Sequence, residues 1–197
     1  MKKGLIALIV IGVLLLLGYF MIKGTYNSMV TKDEGVKTAW SQVENVYQRR
    51  ADLIPNLVNT VKGYAKHESE TLKGVVEARA KATSVNINAD NLNAETIKNF
   101  QAAQSGLSSA LSKLMVVVER YPDLKANQNF LELQSQLEGT ENRIATERRR
   151  FNEVAKDYNV YIRKFPNNIF AGMLGFEKAA YFEAEKGAEK APEVSFE

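Results

Sequence analysis

The stretch VKTAWSQVENVYQRRADLIPNLVNTVKGYAKHE, residues 36–68, carries the pattern that decides the fold. Its inward positions recur in alternating steps of four and three residues, namely Val36, Trp40, Val43, Tyr47, Arg50, Ile54, Leu57, Val61, Tyr64 and Glu68. This is the repeat of about 3.5 residues that packed helices share, whereas a strand would alternate every second residue. The stretch therefore predicts a long helix within an all-α fold.

Two further series continue this pattern towards the C-terminus, over residues 97–121 and residues 133–165. The intervening residues 82–93 are rich in asparagine and serine, which favour turns. Pro122 and Pro166 end the two later helices, because the residue before a proline resists helical backbone angles. A short fourth helix is expected after Pro166. The predicted N-caps of the second and third helices are Asn93 and Asn127.

Pro55 falls inside the first series, where it would remove one backbone hydrogen bond. The series nevertheless keeps its register through Ile54 and Leu57, and isoleucine is a poor residue with which to begin a new helix. We therefore predict a single helix, kinked at Pro55, from about Tyr26 to Lys81.

Residues 4–22, GLIALIVIGVLLLLGYFMI, are uncharged and mostly apolar, and Lys2, Lys3 and Lys23 flank them. As a helix they are about 28 Å long, close to the roughly 30 Å hydrocarbon core of a bilayer. A cleaved signal sequence has a shorter apolar stretch and small residues at its exit, whereas this exit is bulky. Residues 1–23 are therefore predicted to form an uncleaved transmembrane anchor.

The helix lengths predict an antiparallel up-and-down bundle of three long helices and a short C-terminal helix. In this arrangement the third helix runs beside the first, away from the membrane. Residues 24–50 form a helical stalk, residues 51–175 form the bundle, and residues 176–197 form a loosely ordered tail. Trp40 lies on the stalk, where we expect partial burial and contact with a partner or with the returning C-terminal segment.

Charge and residue types exclude several classes of function. Apart from the three lysines that flank the span, the chain has 23 basic and 23 acidic residues, so it lacks the basic surface of a nucleic-acid binder. It has no cysteine, and His67 is its only histidine, which leaves no ligand set typical of zinc and a single candidate base for a serine nucleophile. We therefore expect no catalytic, cofactor-binding or metal-binding residue, and no enzymatic activity.

Several inward positions of the predicted helices are polar. Arg50 is expected to lie near the turn after the second helix and to pair with Glu119 or Asp123. Alignment of the helices at one level predicts a buried polar layer of Glu68, Gln104, Glu141 and Arg148. We favour the interpretation that these groups fix the register of the helices. A pocket for a ligand or ion, or pairing with a partner chain, is the alternative.

Three segments carry a further signal: RADLIPNLVNTVKGYAKHE (50–68), VVVERYPDLKANQNFLELQSQLEGTENRIATERRRFN (116–152) and DYNVYIRKFPNNIFAGMLGF (157–176). Their order and spacing behind an N-terminal span resemble the bacterial LemA family over nearly the whole chain. The resemblance implies a single-pass membrane protein with a helical-bundle domain, and it supplies no catalytic residue. Phe151 stands where the family usually has tyrosine, which keeps the ring and removes the hydroxyl.

These observations favour a membrane-anchored helical scaffold that binds another protein of the bacterial envelope. The alternative is a membrane-tethered sensor that holds a small polar ligand or ion in the buried polar layer. A scaffold would expose an apolar patch, whereas a sensor would enclose a pocket. The expected partners are the lipid bilayer and an envelope protein, without nucleic acid, and a homo-oligomer is left open.

The expected location is the bacterial plasma (inner) membrane. Basic residues near a span favour the cytoplasmic side, and the two flanks of this span carry nearly balanced charges. Lys2 and Lys3 lie directly beside the apolar run, which slightly favours a domain outside the cytoplasm.

Overall fold

The computed structural model describes residues 2–183, and helices account for most of this range. No strand occurs among these described residues, so the predicted all-α fold is confirmed. The helices are α1 (Lys2–Tyr64), α2 (Ser69–Ser84), α3 (Ala94–Val118), α4 (Pro122–Lys125), α5 (Gln128–Arg163) and α6 (Asn167–Leu174). Within the described range, α1 alone contains a segment that is long and apolar enough to cross a membrane, and the rest of the domain leaves that segment uncovered.

Helix α1 runs without a break from the apolar segment into the domain and passes through Pro55. A proline inside a helix lacks an N–H group and so leaves the carbonyl four residues earlier without its donor. Here that carbonyl belongs to Ala51, and Nε of Arg79 on α2 donates to it at 2.7 Å. The helix continues through Pro55 while a neighbouring helix supplies the missing donor.

The prediction that this helix extends to Lys81 is wrong. Helix α1 ends at Tyr64, and the chain reverses direction at residues 65–68. Backbone hydrogen bonds from Ala65 to the Val61 carbonyl (2.8 Å) and from Glu68 to the Ala65 carbonyl (3.2 Å) close the turn. The break is hidden in the sequence because α2 continues the same kind of apolar spacing, with buried Leu72, Val75 and Ala82.

Asparagine caps begin the two later long helices. The Asn93 side chain accepts hydrogen bonds from the backbone N–H groups of Glu95 (3.0 Å) and Thr96 (2.9 Å). The Asn127 side chain accepts one from the backbone N–H of Phe130 at 3.1 Å. Both predicted N-caps are therefore confirmed, since these bonds satisfy N–H groups that have no partner within the helix.

Helix α5 runs towards the apolar segment, opposite to the predicted direction. Near its start the Asn127 side chain donates to the Tyr64 hydroxyl at 2.9 Å, and near its end the Tyr161 ring centroid lies 5.5 Å from Nζ of Lys32. The hairpin after Tyr64 is the reason, because it lets α3 return to the far end of α1. Residues 24–50 are consequently packed against α5, and the prediction of a separate stalk is wrong.

Two apolar clusters are stacked along α1. The proximal core, nearer the apolar segment, is rich in aromatic residues and includes Trp40, Tyr47, Phe100, Phe151, Tyr158 and Phe182. The distal core is mainly aliphatic and includes Ile54, Leu57, Val61, Val75, Leu107, Leu114 and Phe130. Arg50 lies on α1 at the boundary between them.

The chain after α6 folds back along α5. Gly175 ends α6 with φ of 77°, in the left-handed region that favours glycine. Residues 176–183, the C-terminal segment, then cover the proximal core, where Phe182 is buried. The prediction of a loosely ordered tail is wrong for these residues, and its remainder, 184–197, lies outside the described residues.

Candidate functional site

Arg50 is almost fully buried, with 1 % of its surface exposed. Its Nη1 donates to Oε1 of Glu141 at 2.7 Å and to Oγ of Ser108 at 3.0 Å. Its Nη2 donates to the side chain of Gln104 at 2.6 Å and to the Gln104 backbone carbonyl at 3.3 Å. We call these four residues the Arg50 cluster. The guanidinium joins α1 to α3 and α5 at the boundary between the two cores.

Gln104 extends these contacts to a fourth helix. Its side-chain amide donates to the backbone carbonyl of Ala82, near the end of α2, at 3.2 Å. Arg50 and Gln104 thus tie α1, α2, α3 and α5 at one level. Sliding any of these helices would leave a buried polar group without its partner, at a cost of about 1–3 kcal/mol. The arrangement is therefore one that fixes the axial register of the bundle.

Glu141 sits at the outer edge of the cluster. Its side chain is 48 % exposed, while that of Arg50 is 2 % exposed, so only one partner of the ion pair is shielded from water. The guanidinium also lies 5.1 Å from the ring centroid of Tyr47. The prediction that Arg50 pairs with Glu119 or Asp123 is wrong, because these two residues lie at the far end of the bundle.

Glu68 does not join the cluster. Its carboxylate accepts hydrogen bonds from Nη2 of Arg120 at 2.9 Å and from the Tyr121 hydroxyl at 3.1 Å. These contacts tie the turn after α1 to the turn after α3. The prediction that placed Glu68 in the buried layer is wrong because the reversal at residues 65–68 puts it at the distal end.

Arg148 lies two turns further along α5, outside the Arg50 cluster, so the prediction that placed it in the buried layer is wrong. Its guanidinium carbon is 4.9 Å from the Phe182 ring centroid, and Nη2 donates to the backbone carbonyl of Glu183 at 3.1 Å. Arg148 therefore holds the C-terminal segment. The helix buries the predicted inward residues Ile144 and Phe151, but it buries Thr140 in place of Glu141.

Trp40 is fully buried at the centre of the proximal core. Its ring packs edge-on against Phe100 and Phe151, with centroids 5.2 and 5.7 Å away, and stacks on Phe182 at 5.8 Å. The predicted partial burial is wrong, whereas the predicted contact with the returning C-terminal segment is made through Phe182. Helices α3 and α5 and the C-terminal segment together cover the indole ring.

Two asparagines of α5 hold that segment in place. The Asn152 side chain donates to the Phe182 carbonyl and accepts from the Phe182 N–H, both at 2.9 Å. The Asn159 side chain makes the same pair of bonds with Ala179, at 2.8 and 2.9 Å. Each amide thus pairs with both backbone polar groups of one residue, as a neighbouring β-strand would. We call Asn152 and Asn159 the asparagine clamps.

Comparison with known proteins places most of the chain in one family. The model of the LemA family matches residues 39–196, which is most of the chain. The chain belongs to the LemA family. The resemblance read from the sequence is therefore confirmed, and the match includes the Arg50 cluster and both asparagine clamps.

Relatives of this LemA family protein carry two kinds of name. The chain is 31 % identical to Magnetosome protein MamQ 2 of Paramagnetospirillum magneticum, over 96 % of this chain and 76 % of that protein. It is 31 % identical to Magnetosome protein MamQ of Magnetospirillum gryphiswaldense, over 86 % of this chain and 68 % of the relative. It is 27 % identical to Protein LemA of Metamycoplasma hominis, over 85 % of this chain and 73 % of that protein. The family and the candidate span together fit a membrane location.

A second polar cluster ties the loop before α3 to α1. Nζ of Lys37 lies 2.7 Å from the carboxylate of Asp90, 3.2 Å from that of Asp33 and 3.3 Å from that of Glu34. Hydrogen bonds to these carboxylates, above all to Asp90, raise the pKa of Lys37 above its usual value. Sequence analysis missed this contact because the loop gives no helical register from which to place Asp90.

The asparagine clamps were also missed. Asn152 and Asn159 are seven residues apart, which places them on one face of a helix. That spacing is the signal that could have revealed them, but it does not name the segment that they bind.

Within residues 2–183 no group of three or more acidic or histidine side chains is placed to hold a metal ion.

Proposed function

We propose that this LemA family protein is a membrane-anchored helical scaffold that binds other proteins of the bacterial envelope and has no enzymatic activity. The observation that carries the proposal is the continuity of α1, which extends without interruption from the apolar segment to Tyr64. The helix that would enter the bilayer is also the helix against which the domain is built.

A continuous helix holds the domain at a fixed distance from the membrane. From Lys23 to Tyr64 it covers about 60 Å at about 1.5 Å per residue. Helices α2 and α5 pack along it, and the Arg50 cluster fixes their register. A stiff, elongated body with this construction suits the presentation of binding surfaces at set distances from a membrane.

The sensor alternative receives less support. It required an enclosed pocket lined by Glu68, Gln104, Glu141 and Arg148, and these residues occupy three separate places. Both terminal nitrogens of Arg50 already have partners and only its Nε lacks one, so a ligand would have to displace Glu141 or Gln104 to bind the terminal nitrogens. A buried charge whose hydrogen bonds are largely satisfied is better suited to a structural role than to reversible binding.

The surface most suited to a protein partner is a groove of about 350 Å³ between α3 and α5. Leu111, Met115 and Leu137 form its apolar floor, and Glu138 lies on its α5 rim beside Glu141, whose carboxylate also pairs with Arg50. An apolar floor beside an acidic rim fits a partner helix with one apolar face flanked by basic residues. We propose such a helix, from another membrane protein, as the occupant of the groove.

Site-specific photocrosslinking in intact membranes tests the proposal. A photoreactive amino acid in place of Met115 faces the groove, while one in place of its neighbour Val116, which is 71 % exposed, faces away. We expect a defined protein partner captured from Met115 and not from Val116. Capture of a second copy of this chain, equal capture at both sites, or no capture at either would contradict the proposed occupant.

The orientation of the domain is inferred from the basic residues beside the span. We propose that the domain lies outside the cytoplasm at the plasma membrane. A reporter enzyme that is active only outside the cytoplasm, fused after Glu197, should be active. A silent reporter, together with an active cytoplasmic reporter at the same site, would reverse the orientation.

A further inference from the structure

Large apolar side chains are exposed together at the base of the domain. They are Phe165 (82 % exposed), Ile169 (50 %), Met173 (79 %) and Leu174 (46 %). Ile169 and Met173 are four residues apart, which places them on one face of α6, and Phe165 lies in the turn before it. The opposite face of α6 packs into the proximal core through Phe170 and Ala171. We call the exposed group the basal patch.

The first end of α6 lies close to the membrane-proximal end of α1. The Tyr161 ring of α5 is level with Lys32, since the lysine Nζ lies 5.5 Å from its centroid. Helix α5 ends at Arg163, about half a turn closer to the apolar segment than Tyr161, and Phe165 follows in the turn before α6. It therefore lies near the level of residue 28, only a few residues beyond Lys23.

The second end of α6 lies at a similar level. The Phe176 ring, just after the helix, contacts the Tyr26 ring, with centroids 5.9 Å apart. A helix of eight residues is about 12 Å long, and it would span a wide range of levels if it ran along α1. Because its ends are nearly level, α6 crosses the base of the domain, roughly parallel to the plane of a bilayer that the apolar segment enters.

Charge around the basal patch is of the kind found at membrane surfaces. The sequence of α6, NNIFAGML, has no charged residue. Exposed Arg163 and Lys164 come just before it, and Lys23 stands at the end of the apolar segment. Basic side chains at such positions approach anionic headgroups while apolar neighbours enter the acyl region.

We propose that the basal patch is an interfacial membrane anchor, which inserts into the headgroup–acyl boundary of the leaflet nearest the domain. The occupant of this surface is the phospholipid bilayer itself. The span fixes the domain to the membrane at one point, and α6 supplies a second contact that restrains its tilt and rotation. A soluble partner would have to reach the patch in the narrow space beside the span, whereas lipid already surrounds that position.

Fluorescence quenching by lipid tests this anchor, and the absence of cysteine from the chain allows single labelling sites. The full chain is reconstituted in nanodiscs of mixed zwitterionic and anionic phospholipid. An environment-sensitive fluorophore is attached through Met173→Cys, Val116→Cys or Leu15→Cys. Val116 is the matched control, since it is 71 % exposed and remote, and Leu15 in the apolar segment confirms insertion.

We expect the Met173→Cys label to be blue-shifted and quenched several-fold by phospholipid carrying a nitroxide at a shallow acyl position. The Val116→Cys label should remain unquenched, and the Leu15→Cys label should be quenched. An unquenched, red-shifted label at Met173 beside a quenched label at Leu15 would overturn the proposal. A blue-shifted but unquenched label at Met173 would also overturn it, because the patch would then be covered by protein. If introducing the label unfolds the domain, the same measurement at Ile169→Cys replaces it.

Discussion

The proximal and distal cores share α1, α3 and α5 but are closed in different ways, and α2 contributes buried residues only to the distal core. The distal core is aliphatic and is enclosed by helices alone, with the turn at residues 65–68 and helix α4 at its end. The proximal core is aromatic, and the C-terminal segment completes it by placing Phe182 on Trp40. The proximal core therefore depends on the extended C-terminal segment, and the distal core does not.

This difference separates two kinds of stabilising contact. In the distal half, apolar side chains on regularly spaced helical positions supply the burial. In the proximal half, the extended C-terminal segment forms no helix of its own, and the amide side chains of Asn152 and Asn159 supply hydrogen bonds to its backbone. Substitutions that loosen the C-terminal segment should therefore destabilise the proximal core first. Trp40 is the only tryptophan of the chain, so its fluorescence reports on that core.

The largest expected effect is that of Trp40→Ala. Truncation removes a fully buried ring with three aromatic neighbours, and such changes typically cost about 3–5 kcal/mol of unfolding free energy. Denaturation in detergent, followed by circular dichroism, measures the loss. The control Val116→Ala, at a highly exposed site, should change stability by less than about 0.5 kcal/mol. Equal, small effects for both variants would mean that the proximal core is not closed around Trp40.

The next effect concerns the boundary between the cores. Arg50→Ala removes the donor that links α1, α3 and α5, and we expect a loss of about 2–4 kcal/mol, below the full cost of breaking a buried pair because Glu141 is half exposed. Arg149→Ala, on the outer face of α5, is the control and should lose little. Joint replacement of Arg50 and Glu141 by leucine should recover part of the loss. An Arg50→Ala variant as stable as Arg149→Ala would show that the cluster does not hold the two cores together.

A smaller effect is expected for one asparagine clamp. Asn152→Ala leaves the N–H and carbonyl of Phe182 without partners, at a cost of about 1–3 kcal/mol. Quenching of Trp40 fluorescence by acrylamide should increase as Phe182 detaches. The control Asn142→Ala, on an exposed position of the same helix, should leave quenching unchanged. Unchanged quenching in Asn152→Ala would contradict the role of the clamp.

The smallest effect is a pH dependence confined to the proximal half. Burial, assisted by the negative charge of Asp33, raises the pKa of Tyr158 to about 12. Since an unfolded tyrosine ionises near pH 10, this group contributes stability that is fully present below about pH 10 and is lost as pH rises towards 12. Tyr158→Phe should therefore flatten the fall in unfolding free energy between pH 9 and pH 11. Parallel pH curves for the two proteins would contradict this assignment.

The sequence predicted the elements of this fold better than their directions. Helical spacing, Asn93 and Asn127 gave the fold class and two helix starts. The same spacing concealed the reversal at residues 65–68, because apolar residues of α2 continue the period of α1. A 3.5-residue pattern reports which side chains face inwards, but it does not report whether the chain has turned around.

That single missed turn explains most errors at the candidate site. The reversal at residues 65–68 puts Glu68 at the far end of the bundle. It also makes α5 pack beside residues 24–50, where Trp40 is buried. Arg50 and Gln104 were read as inward positions, but their mutual contact depends on the order of the helices. The sequence leaves the return of the C-terminal segment as one of two alternatives, because an extended segment held by asparagine side chains has no periodic signal.

The central claim is that the apolar segment and the domain share one rigid helix, and a distance measurement tests it most directly. Spin labels at Phe20→Cys and Gln48→Cys, both exposed and 28 residues apart, should lie about 42 Å apart along an uninterrupted helix. We expect pulsed electron paramagnetic resonance in nanodiscs to give a narrow distribution near that distance, as narrow as that of a control pair within the domain, Glu34→Cys and Gln48→Cys. A broad distribution or a clearly shorter mean distance for the first pair alone would contradict the claim, because it would place a hinge between the membrane and the domain.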